Sequence, residues 1–174
     1  MRFGLGVLDF LKKRIRSSEI VKTLIQTPLE NSKLLASKRH DWGDADVPFE
    51  LYIREDSCFG LFTVFLGILE CRLPESEKRL LLAEFENQVL GLMESGKLDR
   101  RFYFDIQQYH DGLNEPRPSH LDRSWNVGLV FARHCGAAKQ ISYVAPAAAT
   151  FEKCVQQTVE LLNRTGRSYR ILRG

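Results

Sequence analysis

Residues 47–70, VPFELYIREDSCFGLFTVFLGILE, decide how the rest of the chain is read. Phe49, Leu51 and Ile53 alternate with Glu50, Tyr52 and Arg54, the period of a half-buried strand. Glu55-Asp56-Ser57 then reads as a turn. The run from Phe59 to Leu69, with Phe62, Val64, Phe65 and Ile68, reads as a second strand buried on both faces, with Gly60 and Gly67 at bulges or bends. An opening hairpin is the expectation.

Downstream, helix and strand patterns alternate. Pro74–Ser95 carries an apolar stripe of Leu82, Phe85, Val89, Leu92 and Met93, stopped by Gly96, and predicts a helix. Arg101–Gln107 places Phe102, Phe104 and Ile106 on one face of a strand. Gln108–Pro118 is polar and reads as a loop. Ser119 with Asp122 resembles a helix start, and Leu121, Trp125, Leu129 and Ala132 give that helix a face ending near Gly136. Gln140–Ala145 reads as a strand. Pro146 opens a last helix with the stripe Phe151, Val155, Val159 and Leu162, and Tyr169–Leu172 is a closing strand. The order β-β-α-β-α-β-α-β demands parallel crossovers, so the expected fold is α/β: a single, mostly parallel sheet of about five strands with packed helices.

The first 46 residues read differently. Phe3, Leu8, Phe10 and Leu11 fall at helical spacing and run into Lys12, Lys13, Arg14 and Arg16; the helical pattern continues to residue 35, with a break or kink at Pro28. Residues 1–39 hold nine basic and three acidic side chains, net +6, whereas the remaining 135 residues hold 16 and 19, net −3. The division is therefore a basic amphipathic helical arm and linker at 1–46 and a folded domain at 47–174. Such an arm suits docking on the protein's own surface, in a partner's groove or on an anionic membrane. A domain slightly acidic where it folds argues against nucleic acid as partner.

Residues 48–174 resemble a STAS domain, particularly its SpoIIAA-like branch. The resemblance rests on TVFLGILE with Gly67, on RFYFDIQQ ending near Asp105, on Trp125 ahead of the second helix, and on the C-terminal KQISYVAPAAATFEKCVQQTVELLNRTGRSYRILRG. It implies a cytoplasmic, regulatory protein-interaction module, or a pocket for a small apolar or anionic ligand. Family members switched by kinases carry a hydroxyl in the loop after the central strand. Here that loop is QQYHDGLNEPRPSH, with no hydroxyl at the corresponding distance from Asp105.

The candidate partner or ligand residues gather at that loop: Asp105, Tyr109, His110, Asp111, Ser119 and Trp125. His110, oriented by Asp111 or Asp105, is the candidate acid or base of an alternative enzymatic reading. No nucleophile elbow, P-loop or dinucleotide fingerprint is present, and Gly4-Leu5-Gly6 precedes no phosphate-binding turn. The histidines and acids have no zinc-ligand spacing, so neither metal nor cofactor is expected. Cys58, Cys71, Cys135 and Cys154 form no C-x-x-C pair and read as buried thiols of a reducing compartment. No secretory leader is expected, and the uncharged run Ser57–Leu69 is too short to cross about 30 Å of hydrocarbon as a helix. Arg164, Arg167, Arg170 and Arg173 read as charges protecting an edge strand. The expected function is non-enzymatic regulation or scaffolding through another protein, with a second copy of the chain among the partners. The alternatives are membrane recruitment by the arm and a small enzyme using His110.

Overall fold

The computed structural model of the chain describes residues 13–37, 47–116 and 122–174. Its elements are β1 (Lys13–Arg16), α1 (Ser17–Ser37), α2 (Phe49–Glu70), α3 (Glu75–Glu94), α4 (Phe102–Asn114), α5 (Arg123–His134), α6 (Ile141–Ser168) and β2 (Tyr169–Leu172). This is a largely helical protein. The described residues form one sheet, of two parallel strands, β1 and β2. The expected five-strand α/β architecture of the STAS kind is therefore incorrect.

The error begins at residues 49–70, which form one continuous helix. Its buried residues, Glu55, Cys58, Phe59, Leu61 to Val64 and Leu66 to Ile68, point to every side of the axis. A helix apolar all round has no readable 3.6-residue stripe and must be enclosed by other elements. Five helices do so: α1, α3, α4, α5 and α6 all touch α2. Gly60 and Gly67 are points of close approach rather than bulges. A Cβ on Gly60 would lie 2.5 Å from Pro28 Cβ on α1, and one on Gly67 2.5 Å from Thr158 Cβ on α6.

Two other expected strands are also helical. Phe102, Asp105, Tyr109 and Gly112 are the buried face of α4, at helical intervals, while Phe104 faces solvent. Residues 141–145 are the opening turn and a half of α6, where Val144 continues the buried stripe of Ala147, Ala148, Phe151, Val155 and Leu162. Pro146 lies within α6, and Pro28 within α1 rather than at its end. Pro146 removes only the N–H that would meet the carbonyl of Ser142, an exposed residue.

Helix α3, its stop at Gly96 (φ 69°) and strand β2 lie where the sequence places them. Helix α5 starts from Asp122, whose side chain accepts from Ser124 N–H. The arm differs from its expected form: Lys13, Arg14 and Arg16 are in a strand, paired with the C-terminal segment. Helix α1 packs on α2 and α3. Phe3, Leu8, Phe10, Leu11, Lys12 and Ser119 lie outside the described residues.

Around α2, contacts join α1 to α3, α4 to α5 and α5 to α6. Gly128 sets the closest of these, since a Cβ there would lie 2.5 Å from the Val144 carbonyl oxygen. The seams between α3 and α4, and between α6 and α1, stay open and form two grooves with α2 as floor. No helix among the described residues is long and apolar enough to cross a membrane.

Candidate functional site

Two of the expected site residues, Asp105 and Tyr109, sit one turn apart on the buried face of α4. They belong to a polar cluster whose other members are Glu55 of α2, Gln108 of α4 and His134 of α5. Glu55 is wholly buried. Its Oε1 accepts from the Tyr109 hydroxyl and lies 2.7 Å from His134 Nδ1. His134 Nε2 lies 2.5 Å from Gln108 Oε1. The Gln108 amide can turn either its oxygen or its N–H toward Nε2. Glu55 Oε2 has no hydrogen-bond partner among the described residues.

Burial, and then the nearby Glu55 carboxylate, hold the Tyr109 phenol well above its ordinary range, so it stays a donor. Burial and Glu55 also raise Asp105, against the opposing pull of His134, Arg101 and Arg54. Aromatic rings enclose the cluster. Tyr109 stacks on Phe62 with centroids 5.2 Å apart and meets Phe59 and His134 edge-on. A sealed network of this kind locks three helices together in a fixed register.

His110 and Asp111 lie outside this cluster, on the exposed side of α4 and not in a loop. Their nearest approach, His110 Nδ1 to Asp111 Oδ1, is 3.9 Å, and Asp111 accepts from Gln107. Trp125 is half-buried on α5 and takes no part. Glu55 and His134 had no local signature. One sat in an expected turn and the other at a helix end, and only the packing of α2 against α5 joins them. No group of three or more metal-ligating side chains occurs among the described residues.

No family model, curated protein or solved structure matches this chain.

The flank of α4 beside that buried face borders the larger groove, about 490 Å³, between α3 and α4. Phe65 and Leu69 of α2 form the floor. Leu82 and Phe85 of α3, and Phe102, Tyr103 and Ile106 of α4, form the walls. Phe65 and Phe85 pack with centroids 6.0 Å apart. Large apolar side chains stay in water here: Leu69 is 39% exposed, Tyr103 43%, and Phe104 on the adjoining surface 58%. Arg79 and Glu86, two turns apart on α3, supply the charge on the rim.

The second groove, about 260 Å³, lies between α1 and α6 and is more polar. Thr23, Thr27 and Asn31 of α1 face Thr150, Cys154 and Gln157 of α6. Asp56 lines it, accepts from Ser32 Oγ at 2.6 Å, and is raised from its ordinary value by burial against that bond's opposing effect.

Proposed function

We propose that this chain is a non-enzymatic binding module that holds an amphipathic helix of a partner protein in the groove between α3 and α4. The carrying observation is the exposure of Leu69 and Tyr103, both of which line an open helical seam. Contiguous apolar surface facing water is where soluble proteins bind one another. The floor residues Phe65 and Leu69 are one helical turn apart, so a helix laid along α2 meets a ridge of the usual spacing. It would fill the gap in the ring of helices. Its anchors would be large apolar side chains at i, i+3, i+4 and i+7. Arg79 and Glu86 give the groove polarity, favouring an acid at one end of the guest and a base at the other. Four unpaired thiols support a reducing, cytoplasmic setting for this module.

The test is selection of displayed helical peptides against the full chain, followed by titration of the enriched peptides. Amphipathic helices with the stated charge order should be enriched. Tyr103→Glu and Leu69→Glu should each weaken them at least about tenfold while leaving the melting temperature nearly unchanged, since both side chains are exposed. Equal affinity for wild type and both variants would overturn the reading. If the full chain self-associates through this groove, the same variants make it monomeric and the guest is a second copy.

A further inference from the structure

The two basic segments singled out in the sequence meet in the fold. Strand β1 and residues 167–174 carry Lys13, Arg14, Arg16, Arg167, Arg170 and Arg173, and no acid. All six are exposed. The parallel register sets Arg14 opposite Arg170, Ile15 opposite Ile171, and Arg16 opposite Leu172. Alternation along a strand sends neighbours to opposite faces. Ile171 is buried, with Ile15 packed against the same core, so Arg14, Arg16 and Arg170 project together from the outer face.

Like charges directly opposed across a ladder weaken it. Among the described residues none of the six has a carboxylate within ion-pair distance; the ion pairs there involve other cations. The fold thus concentrates positive charge, drawn from segments about 150 residues apart, without neutralising it internally. These side chains stand on the open face of a strand pair, which suits a surface better than a small anion. Tyr169 shares the inward parity of Ile171, so the outer face has no ring on which a nucleobase would stack. Cationic side chains in a row are attracted to phosphates held in a plane. The chain entering β1 also carries Phe3, Leu8, Phe10 and Leu11 ahead of Lys12. In sequence, apolar side chains followed directly by basic ones are the two-signal combination that holds proteins at anionic bilayers.

We propose that the outer face of the β1–β2 ladder docks on an anionic phospholipid surface through Arg14, Arg16 and Arg170. The experiment is co-sedimentation of the full chain with vesicles of phosphatidylcholine alone and of phosphatidylcholine mixed with phosphatidylserine. Binding should require phosphatidylserine and fall as salt shortens the screening length. Arg14→Glu places a carboxylate opposite Arg170, so the ladder should be as stable as before or more so, while vesicle affinity drops at least about tenfold. Arg14→Lys should keep the affinity within about threefold. A duplex RNA added as competitor should not displace the chain from vesicles at equal phosphate concentration. Binding to phosphatidylcholine alone, undiminished binding by a folded Arg14→Glu protein, or displacement by the RNA would each overturn the proposal.

Discussion

Glu55 and His134 face each other at 2.7 Å across the contact between α2 and α5, and Glu55 has no exposure to water. A buried pair of this kind is easily broken and not easily replaced by halves. His134→Leu removes the N–H facing Glu55 and leaves the carboxylate with Tyr109 alone. Stability should fall by about 3–5 kcal/mol, the range for an uncompensated buried partner. Glu55→Leu should cost as much, because His134 and the Tyr109 hydroxyl both lose their acceptor. The combined Glu55→Leu, Tyr109→Phe, His134→Leu protein removes all three demands at once and should recover most of the loss. Urea unfolding of the four proteins measures this. Losses that simply add would mean the three groups do not act as one unit.

Asp105 gives a pH dependence of definite sign. Burial and Glu55 raise its folded-state value above that of the unfolded chain. Its contribution to stability is therefore fully present below the unfolded value and is lost as pH rises through the folded one. Asp105→Asn lacks this loss. The melting temperatures of wild type and variant should lie close together in acid and separate as pH rises toward neutrality, with the variant higher. Asp56, also raised by burial, should behave in the same direction in Asp56→Asn, with a weaker Ser32 bond to a neutral acceptor reducing the gain. Melting curves at a series of pH values decide it. A variant whose disadvantage grows with pH would contradict the sign.

The glycines separate packing from propensity. Gly91 on α3 has nothing within 4 Å of an added Cβ, so Gly91→Ala should stabilise by about 1 kcal/mol through helix propensity alone. Gly67→Ala drives a methyl into Thr158, and Gly128→Ala drives one into the Val144 carbonyl. Overpacking of this sort costs about 1–3 kcal/mol. Gly128→Ala should be the worse, because backbone has less room to give than a side chain. Thermal unfolding should order the proteins Gly91→Ala, wild type, Gly67→Ala, Gly128→Ala from most to least stable.

These contacts also explain what the sequence conceals. Helix α3 is amphipathic, lies at the edge of the ring and ends in a left-handed glycine, so its stripe and stop are readable. Helix α2 is surrounded and has no polar face. Its apolar run was indistinguishable by period from a buried strand, although 22 residues is long for one. In α4 the alternation of Phe102, Phe104 and Ile106 matched a strand, yet Phe102, Asp105, Tyr109 and Gly112 matched a helix equally well. The exposed ring of Phe104 breaks that tie only once the fold is known. In α6 the stripe extends back from Phe151 through Ala147 to Val144, while QISYVA taken alone also reads as a strand. Asp105 and Tyr109 are legible as candidates only through a polar loop expected after a strand at 101–107; a helix stands in place of that loop and turns both residues inward. Their partners Glu55 and His134 are not legible, since pairing across 79 residues leaves no local pattern.

The four thiols offer the simplest check on the packing. Cys58, Cys71 and Cys135 are buried, and Cys154 is half-buried in the wall of the polar groove. Burial raises all four thiols, Cys135 to about 12 and Cys58 further. The thiolate is the reacting species, so a raised thiol is slow at pH 8 even where reagent can reach it. Folded protein exposed to an aromatic disulfide reagent should label first at Cys154, and more slowly than a thiol of the unfolded chain. The other three should react only as the protein opens, and all four promptly in strong denaturant. Cys154→Ser should remove the native-state phase and leave the opening-limited phase unchanged. Rapid labelling of Cys58 or Cys135 in folded protein would mean that α2 is not enclosed as described, and the aromatic cage around Glu55 would fall with it.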